Sequence, residues 1–235
     1  AASAHASGSY AGGCSWNTPI DAQYGDASLV RLVDDELLLP YYLRPQADGS
    51  LIAPYQLCPK RKQELRLVKD GVTVTGLPRK DKSFAPELGI AGFVFNGQTV
   101  KLKNGSHLGT MYGTFEGADR YSLLAVESAD GVRWNWKATI ADDKCPLPGK
   151  EGPCEAALCR LPDGGLMCVF RMESHQPFGQ CFSEDDGKTW SEPVAMKGPH
   201  SVQPSLAVMK DGTLALSGGR PGVFLWLCSD RTGKE

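Results

Sequence analysis

The sequence predicts an all-β propeller, of which about four consecutive blades are present. Three observations carry this. Helical periodicity is scarce along the 235 residues, and short apolar runs instead flank turns containing Asp-Gly or a relative. The two best copies, EAALCRLPDGGLMCVFR (Glu155 to Arg171) and QPSLAVMKDGTLALSGGR (Gln203 to Arg220), share one hairpin layout. A second turn recurs as well, with glycines Gly71, Gly131, Gly187 and Gly233 spaced by 60, 56 and 46 residues. A β-sandwich can show similar strand spacing, but it does not repeat the same turn chemistry.

Residues 1–13 are small, polar and of low complexity. They lack a basic n-region and an apolar h-region, so they read as a disordered leader or cut edge, not as a signal peptide. Residues 14–235 divide into approximate blades at 14–75, 76–136, 137–192 and 193–235. The first has a weak hairpin at Val33-Asp34-Asp35-Glu36 and an eroded second turn, KDGVTV (Lys69 to Val74). The second has Lys103-Asn104-Gly105-Ser106 and then SADGVRW (Ser128 to Trp134). The third has Asp163-Gly164 and SEDDGKTW (Ser183 to Trp190), and the fourth has Asp211-Gly212 and SDRTGKE, which stops at the chain end. In these turns a short Asp or Ser side chain accepts nearby backbone N–H groups, and Gly permits the left-handed backbone. The Trp packs beneath the turn. Asp185, Asp186 and Trp190 are therefore scaffold.

Composition narrows the function. Apolar residues make up 41% and charged residues 22%, as in ordinary globular domains. A formal net charge of −2 leaves no basic excess for a phosphate backbone, so nucleic acid is not an expected partner. No apolar run approaches the roughly 18 residues of a membrane helix. None of the eight cysteines forms a CxxC pair, which argues against a zinc ribbon or a thioredoxin-like site. Cys159, Cys168 and Cys181 lie in apolar stretches that suit buried thiols, while Cys145 and Cys154 flank a Pro/Gly-rich loop and can bridge in an oxidising compartment. Both alternatives stay open, as does the compartment. His175 and His200 each lack ligand-spaced neighbours, so no metal is expected. Lys60-Arg61-Lys62 reads as a solvated loop. Phe224 and Trp226 alternate along a strand, and so do Trp134 and Trp136, one of which is a candidate for stacking on a sugar.

Glu155 and Arg171 lie almost symmetrically about Asp163-Gly164, which makes them expected cross-strand neighbours at the end of the hairpin opposite its turn. Gln203 and Arg220 stand in the same relation to Asp211-Gly212. Two adjacent blades then present Glu, Arg, Gln and Arg on one face. The planar fork of arginine suits a carboxylate bidentately, so the group reads as a cradle for an acidic sugar. The plain alternative is a surface ion pair of little energetic consequence.

SEDDGKTW matches the pattern S-x-D-x-G-x-T-W in full and resembles the Asp-box, or BNR repeat, of the sialidase (neuraminidase) superfamily. The resemblance implies a six-bladed parent, with about two blades and the tyrosine nucleophile beyond this segment. It also implies that the segment alone is inactive and exposes apolar blade faces. By resemblance Glu155 is the base that activates the tyrosine, and Arg171 and Arg220 grip the carboxylate of a terminal sialic acid on a glycan. Arg44 and the loop residue Asp48 stand where the family places a further arginine and its general acid, although a turn role is the plain reading of an Asp before Gly49. One departure is clear. The family's F/Y-R-I-P motif corresponds to Tyr24-Gly25-Asp26-Ala27, with Gly25 in place of the arginine. No cofactor is implied. A non-catalytic glycan-binding propeller, or a lyase or neutral-sugar hydrolase on the same scaffold, is the alternative. A secreted or lysosomal-like compartment suits either function.

Overall fold

The computed structural model describes residues 28–31, 36–40, 42–59 and 65–234. The Tyr24 to Ala27 segment and the Lys60-Arg61-Lys62 run lie outside them. Among these residues, sixteen strands form a fan of blades. The first blade comprises β1 (Ser28–Arg31), β2 (Glu36–Leu39), β4 (Leu51–Pro59) and β5 (Leu65–Thr75), with the short β3 (Arg44–Pro45) pairing to β4. The second comprises β6 (Phe93–Lys101), β7 (His107–Gly113), β8 (Ser122–Ser128) and β9 (Arg133–Ala141). The third comprises β10 (Cys154–Arg160), β11 (Leu166–Arg171), β12 (Pro177–Ser183) and β13 (Val194–His200). The fourth contributes β14 (Ser205–Val208), β15 (Leu214–Gly219) and β16 (Val223–Cys228). Strands within each blade run antiparallel, and the first two blades join where β5 pairs in parallel with β9 at Thr73↔Arg133. β9 and β13 are the outer strands of the second and third blades and run to Ala141 and His200.

Blades stack face to face, and each interface is a separate core. Leu51, Val74, Phe93, Phe95, Met111 and Trp134 fill the first. Leu108, Leu158, Leu166, Cys168, Phe170 and Cys181 fill the second, and Ala157, Val169, Phe178, Leu206, Leu214 and Leu216 the third. Neighbours in sequence such as Ala157 and Leu158 thus enter different cores. This explains why β10 and β11 read as unbroken apolar runs: both faces of a blade are covered. The inner strands are tied together by Gln98, whose amide donates to Leu158 O at 2.8 Å and Leu206 O at 2.6 Å, bridging β6, β10 and β14. On β16, Val223, Leu225 and Leu227 face outward and are exposed, while Phe224 and Trp226 stack 5.5 Å apart on the inner face.

The recurring turn behaves as its chemistry requires. Asp185 Oδ1 accepts from Lys188 N at 3.0 Å and Thr189 N at 2.9 Å, and Ser183 Oγ accepts from Gly187 N at 2.8 Å. Asp130 and Asp230 repeat the arrangement, on Val132 and Arg133 and on Thr232 and Gly233. Trp134 is buried beneath its turn, with its indole N–H on Gly131 O at 3.1 Å. Asp186 joins two blades by accepting from Lys103 N and Arg160 Nη2. The eroded copy differs. β5 runs straight through it, and the pairing skips from Ala53↔Val72 to Tyr55↔Lys69, so Asp70-Gly71 forms a β-bulge rather than a turn.

Candidate functional site

Glu155 is the second residue of β10 and Arg171 closes β11, at the end of the hairpin away from Asp163-Gly164. The ladder pairs Arg171 with Cys154 and then Phe170 with Ala156, which corrects the expected pairing of Arg171 with Glu155. Glu155 is the extra residue of a bulge, with φ 25°, in the left-handed region that normally favours glycine. The bulge turns its carboxylate onto the arginine. Arg171 Nη1 donates to Glu155 Oε1 at 2.5 Å, and Gln203 N donates to Oε2 at 2.8 Å. The next residue is anchored from the neighbouring blade, where Asn96 Oδ1 accepts from Ala156 N at 3.0 Å. Beside Asn96, Gly97 has φ 80°, and a Cβ there would lie 2.0 Å from Ala156 O. Close approach of the two inner strands at this level therefore depends on glycine.

The pair is not a surface contact. Both side chains are 11% exposed. A second carboxylate, Glu151, holds the other end of the guanidinium: Arg171 Nη2 donates to Glu151 Oε1 at 2.5 Å and to Oε2 at 2.6 Å. Arg171 Nε is buried without a partner among the described residues. Burial works to lower the pKa of Arg171, but Glu155, Cys154 and Glu151 outweigh it, and the guanidinium stays charged. Glu151 is fixed through its loop, because Tyr121 N donates to Glu151 O at 2.8 Å and Lys150 N to Glu173 Oε2 at 3.1 Å. Arg120 straps the same loop by donating to Cys145 O and Leu147 O. Half-buried Tyr121 forms the adjoining wall, its ring 5.3 Å from that of Tyr112. Burial, with repulsion from Cys154, Glu151 and Glu155 and partly opposed by Arg171, pushes the Tyr121 hydroxyl above its ordinary value, so it stays protonated and able to donate.

The fourth blade meets this centre through its backbone. Gly219 N donates to Val202 O at 3.0 Å and Ser201 Oγ to Arg220 O at 2.9 Å. The β14–β15 ladder ends at Ser205↔Ser217, so Gln203 and Arg220 lie beyond it and do not pair as expected. Of the five described non-glycine residues with positive φ, Asp186 and Arg231 belong to Asp-boxes, while Glu155, Ser201 and Gln203 cluster here. Arg220 is exposed, and its guanidinium has no partner among the described residues.

The other expected residues lie elsewhere. Arg44 is exposed on β3. Asp48 is exposed in the β3–β4 turn, where Oδ1 accepts from Ser50 N at 3.0 Å and Ser50 Oγ at 2.6 Å. The Ser50 hydroxyl and then its amide hold that carboxyl below its ordinary value, whereas a general acid needs a raised one. Asp48 thus has the role of a turn residue. Cys145 and Cys154 are free buried thiols, so the bridge that their flanking positions allow is not formed. His175 is exposed, and His200 ends β13 with its ring 5.8 Å from Phe224. Trp136 borders an open depression of about 520 Å³ with Asn104, Glu127, Asn135 and Lys137. Glu151 and Tyr121 were not singled out by sequence. The only signal for Glu151 is the charged pair Lys150-Glu151 between Gly149 and Gly152, just before the hairpin.

Solved structures share this architecture at low identity. A protein of unknown function from Dyadobacter fermentans aligns with TM-score 0.66 and 18% identity over 92% of this chain and 65% of its own. An exo-beta-1,3-galactanase from Phanerochaete chrysosporium, solved with beta-1,3-galactotriose, aligns with TM-score 0.59 and 9% identity over 90% of this chain and 48% of its own. The Hadza microbial sialidase Hz136 aligns with TM-score 0.52 and 14% identity, over 91% and 44%. The chain therefore spans about half to two thirds of the length of these relatives. No curated protein sequence matches it. The sequence family described as BNR repeat-like domain matches residues 5–221, nearly the whole chain, and the chain belongs to that family.

Proposed function

We propose that the Glu155–Arg171 centre is the sugar-handling site of a glycoside hydrolase, and that the intact protein releases a terminal acidic sugar of the sialic acid class with retention of configuration. The observation that carries this is the buried carboxylate of Glu155, held at both oxygens on a left-handed bulge at the junction of two blades. Glu155 acts as the base in this scheme. It takes the phenolic proton of a tyrosine supplied outside this segment as that oxygen bonds to the anomeric carbon, and the aglycone leaves with a proton from a general acid. Water then cleaves the glycosyl–tyrosine bond. Arg171 and the unpaired Arg220 supply positive charge for the sugar carboxylate.

A second reading, hydrolysis of a neutral sugar, is favoured by one observation: both ends of the Arg171 fork are already taken by carboxylates. The fold shared with a galactanase accommodates this reading as readily. The test is turnover of fluorogenic sialoside, galactoside and arabinofuranoside by the full-length protein beside its Glu155→Gln variant. A loss of at least about 10²-fold in the variant is expected, the scale of a missing general base. Folded protein with no turnover on any of the three, or turnover indifferent to Glu155→Gln, refutes the proposal.

A further inference from the structure

Glu151 has no part in the reaction above, yet it takes more of Arg171 than Glu155 does. Both of its oxygens sit on Nη2, at 2.5 and 2.6 Å, whereas Glu155 meets Nη1 through one oxygen. With Nη1 facing Glu155 and Nε buried, Nη2 is the edge of the guanidinium that an incoming carboxylate can use. That edge carries a carboxylate from the protein itself. The two glutamates differ in how firmly they are held. Glu155 is 11% exposed and locked by a second donor, Gln203 N, while Glu151 is 38% exposed and, among the described residues, has only Arg171 on its side chain. The Glu151 backbone is pinned by Tyr121, so the side chain alone is free to swing into water, where its charge is readily solvated.

We propose that Glu151 sets the charge preference of this site: an anionic sugar reaches Arg171 only by displacing the Glu151 carboxylate, whereas a neutral sugar binds with Glu151 in place. The proposal rests on the reading of this face as the sugar site. Glu151 is a specificity-determining residue here and takes no proton. In the resting arrangement two carboxylates share the Arg171 guanidinium, which repels a third carboxylate from it and leaves hydroxyl groups unaffected.

The experiment is calorimetric titration of the full-length protein with N-acetylneuraminic acid and, separately, methyl β-galactoside, for the wild type, Glu151→Gln and Glu151→Ala. Both variants are expected to bind N-acetylneuraminic acid at least about tenfold more tightly, equivalent to about 1.4 kcal/mol. Methyl β-galactoside affinity should stay within about twofold, and Arg171→Met added to Glu151→Ala should cancel the gain. A merely structural role for Glu151 predicts a loss in both titrations, never a gain in one. Unchanged or weaker binding of the acidic sugar in both variants overturns the proposal. Where the Glu155→Gln hydrolysis test succeeds and the affinity ratio still ignores Glu151, only this inference fails. Where no protein binds or cleaves any of the sugars, the functional reading falls with it.

Discussion

Acidification should weaken this propeller through one residue of the second blade before its turns give way. Glu127 lies on β8, opposite Asn135, and is 24% exposed. Its Oε1 accepts from Asn104 Nδ2 at 2.9 Å and from Ser106 Oγ, and its Oε2 accepts from Lys137 Nζ at 2.5 Å. Lys137 reaches it because the β8–β9 pairing skips from Ala125↔Ala138 to Val126↔Trp136, which leaves Lys137 in a bulge. Burial pushes the Glu127 carboxyl up, but the donors Asn104, Lys137 and Ser106 outweigh it and bring it from 4.5 to about 2. At 1.36 kcal/mol per unit, the ionised folded form gains about 3 kcal/mol over the unfolded chain. The folded value is the depressed one, so this stability is complete above pH 4.5 and disappears as pH falls toward 2. About 60% of it should be gone by pH 3. Glu127→Gln removes the charge and strands Lys137, whose side chain is 12% exposed. The full-length variant should melt roughly 6–12 °C below wild type at pH 7, from about 2–4 °C per kcal/mol, and the gap should shrink to less than half at pH 3. An equal gap at both pH values would refute the account, because the loss would then come from shape rather than charge.

Two further outcomes follow from the site and the turns. Arg171→Met leaves the buried Glu155 and the part-exposed Glu151 without their cation and should cost about 3–5 kcal/mol in urea unfolding of the full-length protein, the usual loss on breaking a buried pair; a cost under about 1 kcal/mol would mean that both carboxylates escape to water. Asp185→Ala removes the acceptor for Lys188 N, Thr189 N and Thr189 Oγ1 and should cost about 1–2 kcal/mol, while Asp185→Asn keeps one oxygen and should cost less; equal losses by thermal melting would show that the hydrogen bonds do not hold the turn.

What the sequence disclosed follows the range of the interactions involved. SEDDGKTW closes on itself, with Ser183, Asp185, Gly187 and Thr189 satisfying one another within seven residues of chain, so its letters suffice. The hairpins at Asp163-Gly164 and Asp211-Gly212 are local in the same way. KDGVTV carries similar letters but lacks the Ser and the Trp, and pairing with β4 turns it into a bulge. Symmetry about the turn pairs Glu155 with Arg171 in a register that the β10–β11 ladder does not adopt; in the structure they meet because a bulge shifts Glu155 past Cys154. That bulge depends on Asn96 and Gly97 from another blade, some sixty residues away in sequence. Glu151 was invisible for the same reason: Arg120 and Tyr121, from the preceding blade, decide where its loop lies.

The energetics of the centre are compatible with the proposed function. A buried Glu–Arg–Glu group contributes little net stability, since desolvation offsets the Coulomb gain, and well-packed apolar residues of similar volume often do as well or better. Around it, Glu155, Ser201 and Gln203 hold positive φ angles that cost on the order of 1–3 kcal/mol each. In the Asp-boxes the strained residue has a local return: Asp186 adopts φ 64° and joins two blades through Lys103 and Arg160. Glu155 likewise joins two blades, through Gln203 N and Arg171, while Asn96 separately anchors the adjoining backbone at Ala156. An apolar residue at position 155 would avoid the desolvation of a carboxylate but leave Gln203 N and Arg171 Nη1 without that acceptor. A charged one, aimed by a bulge at an arginine with one exposed and one buried carboxylate, is what a site that must handle a polar ligand requires.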